Sequence, residues 1–205
     1  MIDPILITGC SRSGTTMTAG ILYLCGAFGG NINGPSKRDD GGMFGNVEIR
    51  NKIIGNELGP FLPFEEFKDL ITSGMVRQGY VNGKWFYKDT ELLLPWMGID
   101  WGRAFPKAQY VIVRRKTEDI VSSCMKTGYM KQCTTKKEWE AWVEKRLICF
   151  GIVKNVGFNI LEVWPTKFIE GDFSEIRETV EKLGLKWEED KIMNFMNPEL
   201  RGSQL

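Results

Sequence analysis

The 205-residue chain contains no histidine, and that absence excludes more chemistry than any residue present. Without the one side chain that ordinarily titrates near neutral pH, imidazole base catalysis is gone and most zinc sites go with it. Cysteine does not fill the gap. Cys10, Cys25, Cys124, Cys133 and Cys149 form no C-x-x-C pair, which fits small buried thiols in a reducing cytoplasm better than a disulfide framework or a metal site. The chain also lacks a charge excess. With 27 Lys and Arg against 26 Asp and Glu, no general attraction for nucleic acid or an anionic membrane is expected. No stretch reaches the roughly 18 consecutive apolar residues of a membrane span, and Met1-Ile2-Asp3-Pro4 runs straight into an apolar segment, so neither a signal peptide nor an anchor is expected. Repeats and low-complexity tracts are missing too. A hydrophobic content of 42% can bury one good core, so the expectation is a single α/β domain over residues 1–205.

The chemistry that is present starts near the N-terminus. Pro4-Ile5-Leu6-Ile7-Thr8 reads as a short buried strand, Gly9-Cys10-Ser11-Arg12-Ser13-Gly14 as a loop, and Thr15-Thr16 as the opening of a helix that runs toward Leu24. Such a turn aims several backbone N–H groups at one point, and with the helix N-terminus and Arg12 it forms a cradle for a phosphate or a sulfate. It differs from a nucleotide-triphosphatase loop. Thr15 stands where a Lys would reach the β and γ phosphates, and the cation has moved to Arg12, whose planar guanidinium can bind two oxygens of one anion.

Arg12-Ser13-Gly14-Thr15-Thr16 resembles the loop of the sulfotransferases that use 3′-phosphoadenosine 5′-phosphosulfate (PAPS), and the chain looks like a small bacterial or phage form of that family. Further segments follow in the family's order. Gly42-Met43-Phe44-Gly45-Asn46 resembles a Gly-Phe-x-Glu-Asn segment with the Glu replaced by Gly45. Trp85-Phe86-Tyr87-Lys88-Asp89 resembles a strand ending in Lys-Asp-Pro or Lys-Thr-His, with Thr90 where a Pro or a catalytic His would be. Arg115, Asp119 and Ser123 repeat the family's spacing for binding a 3′-phosphate. The tail from Phe195 to Arg201 is similar as well. The likeness covers most of the chain apart from residues 27–41 and 60–83.

Periodicity fills in the elements between these segments. Residues 27–45 read as a long polar loop, Asn46 as the cap of a helix through Ile49 and Ile53, and 64–73 as a short helix followed by a polar connection. Gln109 to Val113 is a strand. Lys136 to Phe158 is a long amphipathic helix whose tryptophans serve the core, Thr166 to Ile169 a fourth strand, and Asp172 or Ser174 the cap of a helix that ends at Gly184.

The resemblance implies a P-loop α/β three-layer fold with a mainly parallel sheet, and transfer of a sulfuryl group from PAPS to a hydroxyl or amine on a small-molecule, glycan or peptide acceptor, without a metal. It assigns Arg12, Ser13, Gly14, Thr15 and Thr16 to the 5′-phosphosulfate, Lys88 to the transferring oxygens, and Arg115 with Ser123 to the 3′-phosphate. For the proton the resemblance points to a Glu after the first helix, hence Glu48, with Asp39, Asp40, Asp89 and Glu91 as rivals. A phosphotransferase or nucleotide hydrolase, and a nucleotide-binding relative without activity, remain alternatives.

Overall fold

The structure, a computed structural model, describes residues 1–32, 44–54, 63–128 and 133–196, and only the backbone of Leu93, Pro95 and Trp96. Four strands, β1 (Ile5–Gly9), β2 (Phe86–Lys88), β3 (Gln109–Val113) and β4 (Asn159–Val163), form an all-parallel sheet in the order β2-β1-β3-β4. Every residue of β1 is buried. A central parallel strand is covered on both faces, which is why it reads as a continuous apolar run rather than an alternation.

Alternate side chains feed two cores. Leu6, Tyr87, Tyr110 and Ile112 face helices α3 (Phe64–Arg77), α4 (Pro95–Ala104), α5 (Thr117–Thr127) and α6 (Lys136–Asn155). Ile5, Ile7, Phe86, Val111 and Val113 face α1 (Thr15–Leu24), α8 (Ser174–Lys182) and α9 (Glu189–Met196). The result is the expected three-layer α/β arrangement. The first core is aromatic at its centre: Trp101 is fully buried between Tyr87 and Phe105, stacked on both at 4.6 and 5.5 Å between ring centroids. Trp139 is buried as a core residue, and Trp142 packs at the edge of the same cluster.

Several boundaries differ from the sequence reading. The helix expected over 64–73 continues to Arg77 through Gly74, where a Cβ would lie 2.4 Å from Ile49 Cδ1 of α2 (Val47–Ile54). This glycine lets two helices touch and does not end one. The expected fourth strand at 166–169 is instead a short helix, α7 (Pro165–Ile169). Pro165 has a fixed φ and no N–H to give a neighbouring strand, and it starts a helix well. The strand is the segment before it, β4, and α6 ends at Asn155 rather than Phe158 to make room for the turn at Gly157. The start of α6 is fixed by a capping box between Thr135 and Glu138. Asp172 accepts from the backbone and hydroxyl of Ser174 at the start of α8. Residues 33–43, with Asp39 and Asp40, and the tail beyond Met196 lie outside the described residues.

Candidate anion site at the carboxyl edge of the sheet

β1 ends at Gly9, and the chain turns at once, with the Ser13 N–H donating to the Cys10 carbonyl at 3.0 Å. Arg12 takes a left-handed backbone (φ 68°) and Gly14 (φ 104°) forms the N-cap of α1. Space dictates both glycines. A Cβ on Gly9 would lie 2.5 Å from the Val113 carbonyl oxygen and 2.7 Å from Ser13 Oγ, and one on Gly14 would lie 2.7 Å from the Pro165 ring.

α1 begins with no side-chain cap and no acidic residue in its first turn. The first N–H groups of a helix have no partner inside it, so Thr15 and Thr16 open a positive helix end with no acidic residue in its own first turn. Ser13 is completely buried, and its Oγ has no hydrogen-bond partner among the described residues. A buried hydroxyl without a partner among the described residues, beside an open helix end, is a donor set suited to an anion.

β2 brings Lys88 to the same edge, opposite Ile7 of β1. Its side chain is 6% exposed, and burial pulls its pKa down to about 8, with the charge of Asp89 opposing the shift and that of Arg50 adding to it. Asp89 is fully engaged. One oxygen accepts from the Glu91 N–H at 3.0 Å, and the other from the Tyr87 hydroxyl at 3.0 Å and Arg50 Nε at 3.2 Å. It thereby caps the 3-10 turn Thr90–Leu93 and locks the end of β2. Burial, reinforced by Asp89, pushes the Tyr87 phenol well up and keeps it a donor. The Glu91 carboxylate is gripped by Arg146 of α6 at 3.2 to 3.4 Å, and that guanidinium lies over the Trp142 ring.

β3 pairs with β1 so that Val113 stands opposite Gly9, and Arg115 leaves the sheet where the loop begins. Its Nη1 donates to the Arg12 carbonyl at 2.9 Å while its Nε is buried without a partner among the described residues. Arg12 in turn donates from Nε to Ser123 Oγ, 3.1 Å away in α5. Residues 103 and 111 positions apart are therefore joined directly. Asp119 lies in the first turn of α5, where a negative charge suits the helix dipole.

Glu48 is placed elsewhere. It pairs with Lys52 at 2.9 Å and accepts from Gln78 at 3.0 Å, and these contacts hold its carboxyl below the usual range, Lys52 most of all. Arg50, about 200° further round the helix, faces Asp89, so α2 turns its arginine and not its glutamate toward the end of β2. The sequence reading missed Arg50 and Arg146. Their signal is weak, because each earns its place only through the packing of a helix against the 3-10 turn.

Among solved structures, the chain is similar to the sulfotransferase STF1 from Mycobacterium tuberculosis, with a TM-score of 0.58 and 14% identity over 97% of this chain and 72% of that one. The likeness is one of fold. The sequence matches no family model and no curated protein. Among the described residues, no helix is long and apolar enough to cross a membrane, and no group of three or more His, Cys, Asp or Glu side chains could hold a metal.

Proposed function

We propose that the protein is a sulfotransferase that takes its sulfuryl group from PAPS, and that the acceptor is a hydroxyl or amine. The observation that carries this reading is the direct fastening of two anion-binding segments, Arg115 on the carbonyl of Arg12 and Arg12 on Ser123. A single-phosphate site needs only the loop and the helix end. A nucleotide with phosphates at both 5′ and 3′ positions needs two clusters at a fixed separation. The fold it shares with a sulfotransferase supports the same choice.

In this reading the N–H groups and hydroxyls of Ser13, Gly14, Thr15 and Thr16 hold the 5′-phosphosulfate, and Arg115 with Ser123 receives the 3′-phosphate. The donor supplies an activated sulfuryl group, whose sulfur–oxygen bond to the 5′-phosphate breaks as the acceptor's oxygen or nitrogen bonds to sulfur, so that adenosine 3′,5′-bisphosphate leaves and the acceptor's proton passes to water. The chain's contribution is positioning and charge. Lys88, emerging from β2 beside the loop, neutralises the oxygens on which charge builds, and Asp89 keeps that strand end in place through Tyr87, Arg50 and the Glu91 N–H. A phosphotransferase would use Asp89 to hold Mg²⁺, whereas here its carboxylate is engaged with Tyr87, Arg50 and the Glu91 N–H, and the loop has Thr15 where a phosphate-binding Lys would stand. Tied to Lys52 and Gln78, Glu48 is a weak proton acceptor, and Glu48→Gln is expected to change turnover by less than about tenfold. A loss of a hundredfold at unchanged nucleotide affinity would restore it as the base.

Calorimetric titration tests the assignment. Adenosine 3′,5′-bisphosphate is expected to bind at least thirtyfold tighter than adenosine 5′-monophosphate, because the monophosphate leaves a partly buried arginine unpaired at a cost of about 2–4 kcal/mol. Arg115→Ala should remove most of that preference and leave the monophosphate affinity nearly unchanged. Equal affinities in the wild-type protein, or tighter binding of ATP with Mg²⁺, would overturn the reading.

A further inference from the structure

Arg12 belongs to the phosphate loop in sequence, yet the structure turns its side chain away from the transfer end of the site. Its Nε is fixed to Ser123 Oγ, in the second turn of α5. The charges of Arg12 and Arg115 both reach the Cys124 thiol, the next residue of that helix, and both oppose the rise that burial imposes on it. The side chain of Arg12 is therefore tied to α5, and Arg115 is tied to the carbonyl of the same residue.

Neither arginine has a carboxylate partner among the described residues, although Arg50, Arg114, Arg146 and Arg177 all do. Two arginines tied to each other's surroundings, Arg115 to the Arg12 carbonyl and Arg12 to Ser123 Oγ, and without a carboxylate among the described residues, leave two positive charges for an anion to neutralise. Arg115 has a buried Nε still to satisfy. The left-handed backbone at Arg12 is an uncommon conformation for a residue with a side chain, and it persists here under the grip of Arg115 on the residue's own carbonyl.

We propose that Arg12 is a specificity residue for the 3′-phosphate: with Arg115 and Ser123 it forms a two-arginine pocket that distinguishes a 3′-phosphorylated nucleotide from a 5′-monophosphate, while the backbone N–H groups of the loop, Ser13, Thr15, Thr16 and Lys88 serve the 5′ end. This rests on the sulfotransferase reading and departs from the assignment of Arg12 to the phosphosulfate. It also gives the loop a sensing role, because the segment that holds the 5′ group is tied through Arg12 to the pocket that holds the 3′ group.

The test compares dissociation constants for adenosine 3′,5′-bisphosphate and adenosine 5′-monophosphate in the wild-type protein, Arg12→Asn and Arg12→Lys. Asparagine tolerates the left-handed backbone, so the loop keeps its shape, and lysine keeps the charge but loses the forked geometry. In Arg12→Asn the bisphosphate is expected to weaken on the order of thirtyfold and the monophosphate by less than threefold, which collapses the preference. Arg12→Lys should fall between. Equal weakening of both nucleotides would place Arg12 at the 5′ end and overturn the inference, and so would no weakening of either. A wild-type protein without preference would remove the sulfotransferase reading itself. A preference kept in full by Arg12→Asn would remove the role of Arg12 alone.

Discussion

A Lys88→Met protein is expected to stay folded and to bind adenosine 3′,5′-bisphosphate within about tenfold of wild type, yet to lose on the order of a thousandfold in PAPS turnover with the same acceptor. The expectation follows from where the charge sits. A cation in a site from which water is excluded stabilises developing negative charge far better than one in solution, and removing such a group typically costs 10²–10³ or more in rate. Met fills a similar volume without the charge, so the packing at the end of β2 survives. The pKa of about 8 makes the same claim testable by titration. Lys88 is charged below pH 8 and neutral above it, so nucleotide affinity and turnover should both fall as the pH rises from about 7.5 to 9.5, and Lys88→Arg should flatten that fall because an arginine stays charged. Stability moves the other way. In the unfolded chain the lysine holds its proton up to its ordinary value of 10.5. Between about 8 and 10.5 the unfolded state therefore binds more protons than the folded one, and stability should rise with pH across that window. A Lys88→Met protein with turnover within tenfold of wild type would take Lys88 out of the reaction.

The parts of the site that local rules determine were legible in the sequence, and the parts that depend on which elements meet were not. Ile5-Leu6-Ile7 followed by the glycine-rich turn reads as a buried strand entering a helix, as the structure has it, and the run from Gln109 to Val113 is equally plain. The spacing of Arg115 and Ser123 was also readable, since a strand end and the second turn of the following helix are set by backbone geometry. The partner of Arg12 lay 111 residues away, a contact that exists only because β1 and β3 pair in parallel register. Arg50 on Asp89 and Arg146 on Glu91 depend in the same way on how α2 and α6 pack. Thr166 to Ile169 has the apolar content of a strand, yet it is helical. Pro165 was the stronger signal, because a residue without an N–H cannot serve a ladder but starts a helix well. Gly74 is the converse case: by its residue type it suggests the end of a helix, whereas its role is the closeness of Ile49.

That same closeness, at a point where nothing can give way, makes Gly9→Ala a strongly destabilising substitution. The added methyl would lie 2.5 Å from the carbonyl oxygen of Val113, which real Cβ atoms do not approach. The oxygen belongs to β3, the strand paired to β1 at Gly9↔Val113 and in turn to β4, so relief requires the central strands to part at the edge where the loop emerges. Overpacking of a well-filled interior costs roughly 1–3 kcal/mol, and more where the obstacle is backbone. Ser13 Oγ, 2.7 Å from the same methyl, would be driven off as well, so anion binding should disappear along with several degrees of melting temperature. Gly14→Ala offers the contrast. There the obstacle is the Pro165 ring, its Cγ at 2.7 Å and its Cβ at 2.9 Å, a side chain that can be removed, and Gly14→Ala combined with Pro165→Gly is expected to recover the steric part of the loss while the cost of a left-handed alanine remains. No second substitution recovers Gly9→Ala, because its neighbour is the sheet. A Gly9→Ala protein with wild-type melting temperature and nucleotide affinity would mean that the loop does not rest on β3, and the two anion clusters would lose the fixed separation on which the proposed function depends.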